Sequence, residues 1–336
     1  MIFGKAIYVI DSHTAGMPTR IILGGIPNLS GKTMTEKARY FTNNLDYIRT
    51  ALFQEPRGLL RGVGALITPP TRSEAQLGVF YMDSTYRLIP MCGHGSIGVI
   101  TAAIEFGMVE QVKPITTVVL DTPAGLVTGH AVVKAGSVMS VSVQNVASFV
   151  YTSAVLDVPE IGSVPVDVAF GGAFFALVDA DDIGVSIEKR HAPELSRLAM
   201  VVKEAANSQI RVQHPEKPIS TIDAVRFFHQ SAGVKMHIKN IVVFAKGDTG
   251  IDRSPCGTGT SAQLAALYAK GQIKVNQESI HESIIGTTFT GKVTGRTEVN
   301  GFDAVIPEIT GSAYTTGMHT FVLSPHDPLG HGFLLE

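Results

Sequence analysis

Only two cysteines occur in these 336 residues, so no disulfide framework can hold the fold. Charged residues are also scarce, at 17% of the chain with a net charge of −2, and like charges form no block. That excludes the electrostatic footprint of a nucleic-acid or membrane-surface binder and favours a small polar substrate. No apolar run approaches the roughly 20 residues that span a bilayer. The start, MIFGKAIYVIDSHT, alternates like a strand and lacks the charged region, apolar stretch and cleavage site of a secretory signal. A soluble, cytoplasmic protein is expected. There is no GxGxxG fingerprint, no P-loop and no low-complexity segment, and the histidines show no HExxH or similar spacing. Neither a cofactor nor a metal site is expected.

What the chain does have is apolar residue, 45% of it, and enough length for two domains of about 150 residues each. Short β-type runs at 116–120, 138–143, 166–170 and 240–244 are punctuated by Gly, Asn and Pro. Helical patterns occur at 34–50 and 194–207. This is an α+β pattern with mixed sheets rather than a regular βαβ alternation.

The two cysteines sit in an internal repeat. Cys92 opens CGHGSIGVITAAIEFG and Cys256 opens CGTGTSAQLAALYAKG. Each begins Cys-Gly-x-Gly, continues with Ser96 or Thr260, and reaches a Gly fifteen residues after the Cys, at Gly107 and Gly271. A terminal Gly satisfies the last carbonyls of a helix from a left-handed conformation. Each copy therefore predicts a Gly-rich turn feeding a buried helix of about three turns. Taken singly, each segment is no more than a tight turn, and two cysteines in an intracellular chain are ordinarily small buried residues. The repetition, with one of the only two cysteines in each copy, implies two similar domains and a shared chemistry.

A helix start offers unpaired N–H groups and a partial positive charge. Gly93, Gly95, Gly257 and Gly259 leave that backbone open to an anion such as a carboxylate. A cysteine there is expected to have its thiol pKa lowered. If both helix starts addressed one carboxylate, two thiols would flank the adjacent carbon. Stereoinversion at Cα needs such a pair, a base on one face and an acid on the other, and a thiol and a thiolate can exchange those roles. A redox pair would instead be adjacent, as in CxxC, and these cysteines are 164 positions apart. A binding protein would have no use for two matched thiols.

The segments DSHTAG (11–16), EPRG (55–58), MCGHGSIG (91–98), FGGAFFA (170–176), DRSPCGTGTSA (252–262) and ITGSAY…DPLGHGF (309–333) resemble the proline racemase family, in order along nearly the whole chain. The resemblance implies a diaminopimelate-epimerase-like fold: two pseudo-symmetric domains, each a curved mixed sheet around a central helix. The expected division is 1–128 plus 305–336 for the domain of Cys92, and 129–304 for that of Cys256. It also implies a homodimer that uses neither pyridoxal phosphate nor a metal. By resemblance Cys92 and Cys256 are the acid–base residues, and the backbones of Gly93, His94, Gly257 and Thr258 hold the substrate carboxylate. Asp252 and His94 face the substrate nitrogen; their plainer readings are a turn residue and a structural histidine. Arg253 reads as structural.

Family relatives that dehydrate trans-3-hydroxyproline carry a non-thiol residue where this chain has Cys256. Retention of both thiols favours proline racemase, with 4-hydroxyproline 2-epimerase as the alternative and the dehydratase behind both. In proline-type members an aromatic residue near the substrate ring follows EPRG; the aligned residue here is Val63, with Phe244 as the second aromatic wall. The segment STYRLIP (84–90) departs from the family pattern, and Ser84, Thr85 and Tyr86 are candidate partners for a ring hydroxyl. The loop AKGDTGI (245–251) is longer than usual.

Overall fold

A computed structural model of the chain describes residues 4–58, 62–85, 88–231 and 236–335. Two compact units divide it: residues 1–143 with 312–336, and residues 144–311. The joints expected at 128/129 and 304/305 fall inside the strands Gly125–Lys134 and Phe302–Gly311. Hairpin alternation runs unbroken through both places, so composition gives no signal of a boundary there.

Among the described residues the α-helices are α1 (Met34–Asn44), α2 (Asp46–Phe53), α3 (Gly93–Glu105), α4 (Ala192–Gln209) and α5 (Gly257–Ala269). The single helical pattern at 34–50 is thus two helices. Leu45 breaks it with φ −130° and is buried in the apolar cluster beneath α1 and α2. The four strand runs read from the sequence fall in the strands Ile115–Thr122, Ser137–Gln144, Gly162–Phe170 and His237–Val243, the last of which stops one residue short of Phe244. Among the described residues no helix is long and apolar enough to cross a membrane.

In the unit of Cys256, eight described strands form a closed ring. They run Ser148–Val158, Gly162–Phe170, Phe174–Asp179, Ile222–Ser231, His237–Val243, Glu278–Ser283, Thr288–Val299 and Phe302–Gly311, and the last pairs back with the first. Two of the pairings are parallel, Phe174–Asp179 with Ile222–Ser231 and His237–Val243 with Glu278–Ser283; the rest are antiparallel. Helix α5 packs against five of these strands, and ten of its thirteen residues are buried. Helix α4 covers the opposite face through Leu195, Leu198, Ala199 and Val202.

In the unit of Cys92 the same succession of parallel and antiparallel pairings recurs. The strands are Ala313–Leu323, Lys5–Thr14, Met17–Gly24, Val63–Thr68, Leu77–Met82, Ile115–Thr122, Gly125–Lys134 and Ser137–Gln144, with parallel pairings at the third to fourth and fifth to sixth. Helix α3, buried at eleven of thirteen residues, occupies one face of this sheet. Met34, Phe41, Ile48 and Leu52 of α1 and α2 cover the other, against Ile7, Val9, Ile22 and Phe80. The fold is α+β with a mixed curved sheet around a helix in each unit, the diaminopimelate-epimerase-like arrangement.

Three of the sequence motifs have structural roles. Arg20 pairs Nε and Nη2 with Asp11 of DSHTAG at 2.9 Å each, and Nη1 donates to the carbonyls of Leu52 (2.7 Å) and Arg57 (2.8 Å), the latter in EPRG. Arg57 in turn pairs with Asp327 of DPLGHGF, and Glu55 exchanges backbone hydrogen bonds with Phe333. These links tie the segment 324–335 to the unit of Cys92.

Candidate active site

Each cysteine is the residue immediately before a buried helix. Helix α3 starts after Cys92 and α5 after Cys256, both are 13 residues long, and both end in the same cap. Gly107 and Gly271 each have φ +68°. Their N–H groups donate to Ile104 and Tyr268, and the following N–H groups of Met108 and Gln272 donate to Ala103 and Leu267. This double bond at a left-handed glycine is the expected termination. At the other end, the first-turn amides of Gly93, His94, Gly257 and Thr258 have no acceptor within their own helices.

Cys92 is buried, and the His94 ring lies beside its sulfur, with Nδ1 3.5 Å from Sγ. The Thr14 hydroxyl, in DSHTAG, donates to the His94 carbonyl at 2.9 Å. Ser96 donates to the Cys92 carbonyl at 2.8 Å, so the fully buried Tyr81 hydroxyl, 2.7 Å from Ser96 Oγ, is the donor to that serine. Burial pushes the Tyr81 pKa up, which keeps the phenol protonated. Gly95 must be glycine here, because a Cβ would meet the Tyr81 ring at 2.9 Å and the Cys92 sulfur at 3.2 Å.

Cys256 sits in a different backbone state, φ +65° and ψ 112°, a left-handed conformation that costs a non-glycine residue roughly 1–3 kcal/mol. The surrounding turn holds it there. Asp252 Oδ1 accepts from the Ser254 N–H (2.9 Å) and hydroxyl (2.8 Å), and Ser254 Oγ accepts from the Cys256 N–H at 3.1 Å. The sulfur accepts from the Gly259 N–H at 3.4 Å and lies 3.5 Å from the Thr258 hydroxyl. Gly171 of FGGAFFA packs so closely that a Cβ would stand 2.2 Å from the Thr258 carbonyl. Asp252 therefore does serve the turn, and it is also the buried carboxylate next to the thiol.

The lowered thiol pKa expected at a helix start is not what the Cys256 site has. Burial pushes this thiol above its ordinary value and the Asp252 carboxylate adds to the rise. The Thr258 hydroxyl, the Gly259 N–H and Arg226 pull the other way and are outweighed.

Phe244 packs in the same apolar cluster as Cys256, its ring 5.9 Å from that of Phe175. Val63 is buried at the first position of its strand, in register with Thr19. Ser84 offers its carbonyl to Arg49 and Gln54, and the Thr85 N–H donates to Asp83; Tyr86 lies outside the described residues. Arg253 donates to the Ile251 carbonyl, the structural role expected of it. The loop 245–251 is anchored to α4 by the Gly247 N–H on Ser196 Oγ at 3.0 Å. Asp179, Asp181 and His229 lie close enough to share a metal ion, but none of them belongs to either cysteine turn.

Sequence reasoning missed Ser254, the Tyr81–Ser96 pair and Arg226, whose guanidinium donates to the Pro255 carbonyl at 2.8 Å. The signal for Arg226 was a single cation inside the apolar strand IDAVRFF.

The sequence pattern of the family described as proline racemase matches residues 9–334. The chain belongs to the proline racemase family. It is 47% identical over 336 residues to the proline racemase of Acetoanaerobium sticklandii, covering 99% of each chain. It is 41% identical to the 4-hydroxyproline 2-epimerase of Streptosporangium roseum, covering 98% of this chain and 99% of that one. Among solved structures, a hydroxyproline epimerase from Agrobacterium vitis with bound trans-4-hydroxy-L-proline superposes with a TM-score of 0.89 at 35% identity, covering 100% of this chain and 97% of the other.

Proposed function

We propose that this family member is a proline racemase that works without a cofactor, with Cys92 and Cys256 as the acid–base pair. The observation that carries the reading is the duplicated site: two buried helices of equal length, each capped by one of the only two cysteines. The named proline racemase at 47% identity supports the substrate. A thiolate takes the Cα proton, so a C–H bond breaks and an S–H bond forms. On the opposite face the other thiol gives its proton to Cα, so an S–H bond breaks and a C–H bond forms. No electrons leave the substrate, and the enzyme ends each turnover with thiol and thiolate exchanged.

The first-turn amides of α3 and α5 bind the carboxylate and take up the negative charge that develops on it as the proton leaves. The substrate ammonium pairs with Asp252. That pairing removes one of the two causes that raise the Cys256 pKa, so binding itself brings the thiol toward ionisation. His94, beside the Cys92 sulfur, is the second group on the nitrogen side. A homodimer in the cytoplasm belongs to the same proposal.

The second reading, 4-hydroxyproline 2-epimerase, is favoured by the relatives of that activity and by Val63 where an aromatic wall is expected. A panel of both proline enantiomers, the 4-hydroxyproline isomers and trans-3-hydroxyproline decides between them, followed by polarimetry in deuterated water. Inversion with one solvent deuteron at Cα supports the proposal; water loss from trans-3-hydroxyproline as the main reaction refutes it.

Ring preference gives a prediction. Val63→Phe restores apolar contact with an unsubstituted ring at roughly 25 cal/mol per Å², on the order of 1 kcal/mol. The ratio of kcat/KM for proline over 4-hydroxyproline should rise several-fold. An unchanged ratio in a folded variant places ring selection elsewhere, with the segment 84–90 as the next position to test.

A further inference from the structure

Arg226 is fully buried in the strand Ile222–Ser231, directly behind the start of α5. A buried guanidinium is ordinarily matched by a carboxylate, because an unmatched one leaves a large desolvation cost unrecovered. Among the described residues no carboxylate forms an ion pair with it, and its Nε has no hydrogen-bond partner. Its remaining nitrogens are committed. One amino group donates to the Pro255 carbonyl at 2.8 Å, and the other donates to His281 Nδ1 at 3.1 Å.

That second bond fixes a direction. With Nδ1 accepting, the neutral His281 carries its proton on Nε2, which donates to Ser279 Oγ at 2.9 Å, and Ser279 donates onward to the Gly291 carbonyl at 3.1 Å. Burial and the neighbouring cation both hold the His281 pKa far down, so this relay brings no countercharge. Besides His281, the ionisable groups whose charge acts on Arg226 are Cys256 and Asp252. The sulfur is near: the point a Cβ on Gly259 would occupy is 3.3 Å from Arg226 Nη1 and also 3.3 Å from Cys256 Sγ.

We propose that Arg226 is the positioning residue for Cys256, fixing its left-handed backbone through the Pro255 carbonyl and standing as the buried positive charge against which the sulfur becomes a thiolate. The proposal deepens the acid–base role given to Cys256 above and rests on it. The geometry does two things at once. The Pro255 carbonyl belongs to the peptide that enters Cys256, so holding it restrains the strained φ. The fixed cation offsets Asp252, which repels the thiolate from its other neighbour in the turn. A cation this close to a carboxylate-flanked thiol, with all three side chains buried, acts with little screening.

The test uses two variants of the full chain, Arg226→Gln, which keeps a donor but loses the charge, and Arg226→Lys, which keeps the charge. Alkylation of Cys256 by iodoacetamide is followed against pH without substrate in a Cys92→Ser background, where one thiol remains. In the two-cysteine protein, kcat and KM are measured in both directions. Arg226→Gln should move the alkylation midpoint up by about 1–3 pH units, as loss of a neighbouring opposite charge does. It should lower kcat about 10²-fold with KM little changed. Arg226→Lys should keep the midpoint near the parent's. A folded Gln variant with the parent's midpoint and kcat overturns the proposal, as does a Lys variant whose midpoint rises as far as the Gln variant's. If the Gln variant does not fold, the Lys midpoint alone decides in the same way. Turnover at the parent's rate by Cys256→Ser would refute the acid–base role itself, while the alkylation profile still reads the effect of Arg226 on the thiol.

Discussion

Cys92→Ser and Cys256→Ser each lower kcat about 10²–10⁴-fold in both directions, the usual worth of a general acid–base group. A serine hydroxyl is sterically mild in both turns but holds its proton at any working pH, so one face of Cα loses its base or its acid. Inversion needs both faces in every turnover, so the double variant falls little further than either single one. Steady-state racemisation with each enantiomer checks this. A single variant that keeps more than about a tenth of the parental turnover, against that expected loss, removes the two-base assignment. Each single variant is also expected to retain exchange of the Cα proton with solvent for one enantiomer, through the thiol that remains.

Arg20→Ala destabilises the protein by about 3–5 kcal/mol, the cost of breaking a buried ion pair from one side. Arg20 is 3% exposed and Asp11 6%, and their bond is bidentate. The truncation strands that carboxylate, leaves the Leu52 and Arg57 carbonyls without their donor, and removes a guanidinium lying 4.4 Å over the Phe321 ring. His319 Nε2, 3.3 Å from Asp11, is placed to soften the loss when protonated. Urea unfolding followed by circular dichroism measures the effect. The paired variant Asp11→Asn/Arg20→Met should be less destabilised than Arg20→Ala alone, because it leaves no buried charge unmatched. Equal losses would mean that packing, rather than charge, dominates at this position.

Both helices of the site were legible because their ends are set by backbone geometry. Gly107 and Gly271 have left-handed φ values that a glycine adopts without strain, and most of the residues between them and the cysteines are apolar or small. What could not be read depends on burial and on partners far away in sequence. The break at Leu45 comes from core packing that overrides a continuous apolar period. The Cys256 thiol departs from the helix-start expectation because burial, which a motif does not carry, outweighs the favourable end of the helix. Arg226 lies 30 positions before Cys256 and reaches it only through strand pairing. His94, two residues after Cys92, was visible, but sequence separation alone did not say that its ring would turn to the sulfur.

The pairing of Lys5–Thr14 with Ala313–Leu323 also constrains how the molecule is made. Residues 144–311 are contiguous, so the unit of Cys256 can close as soon as its last strand has left the ribosome. The unit of Cys92 cannot. Its strand Lys5–Thr14 pairs locally with Met17–Gly24 but waits for its other neighbour some 300 residues further along, a loop closure whose entropic cost is met late. Translation therefore matures the two halves in the reverse of their order along the chain. A polypeptide ending at residue 312 and released from the ribosome contains every strand of the Cys256 unit but lacks Ala313–Leu323, the partner of Lys5–Thr14.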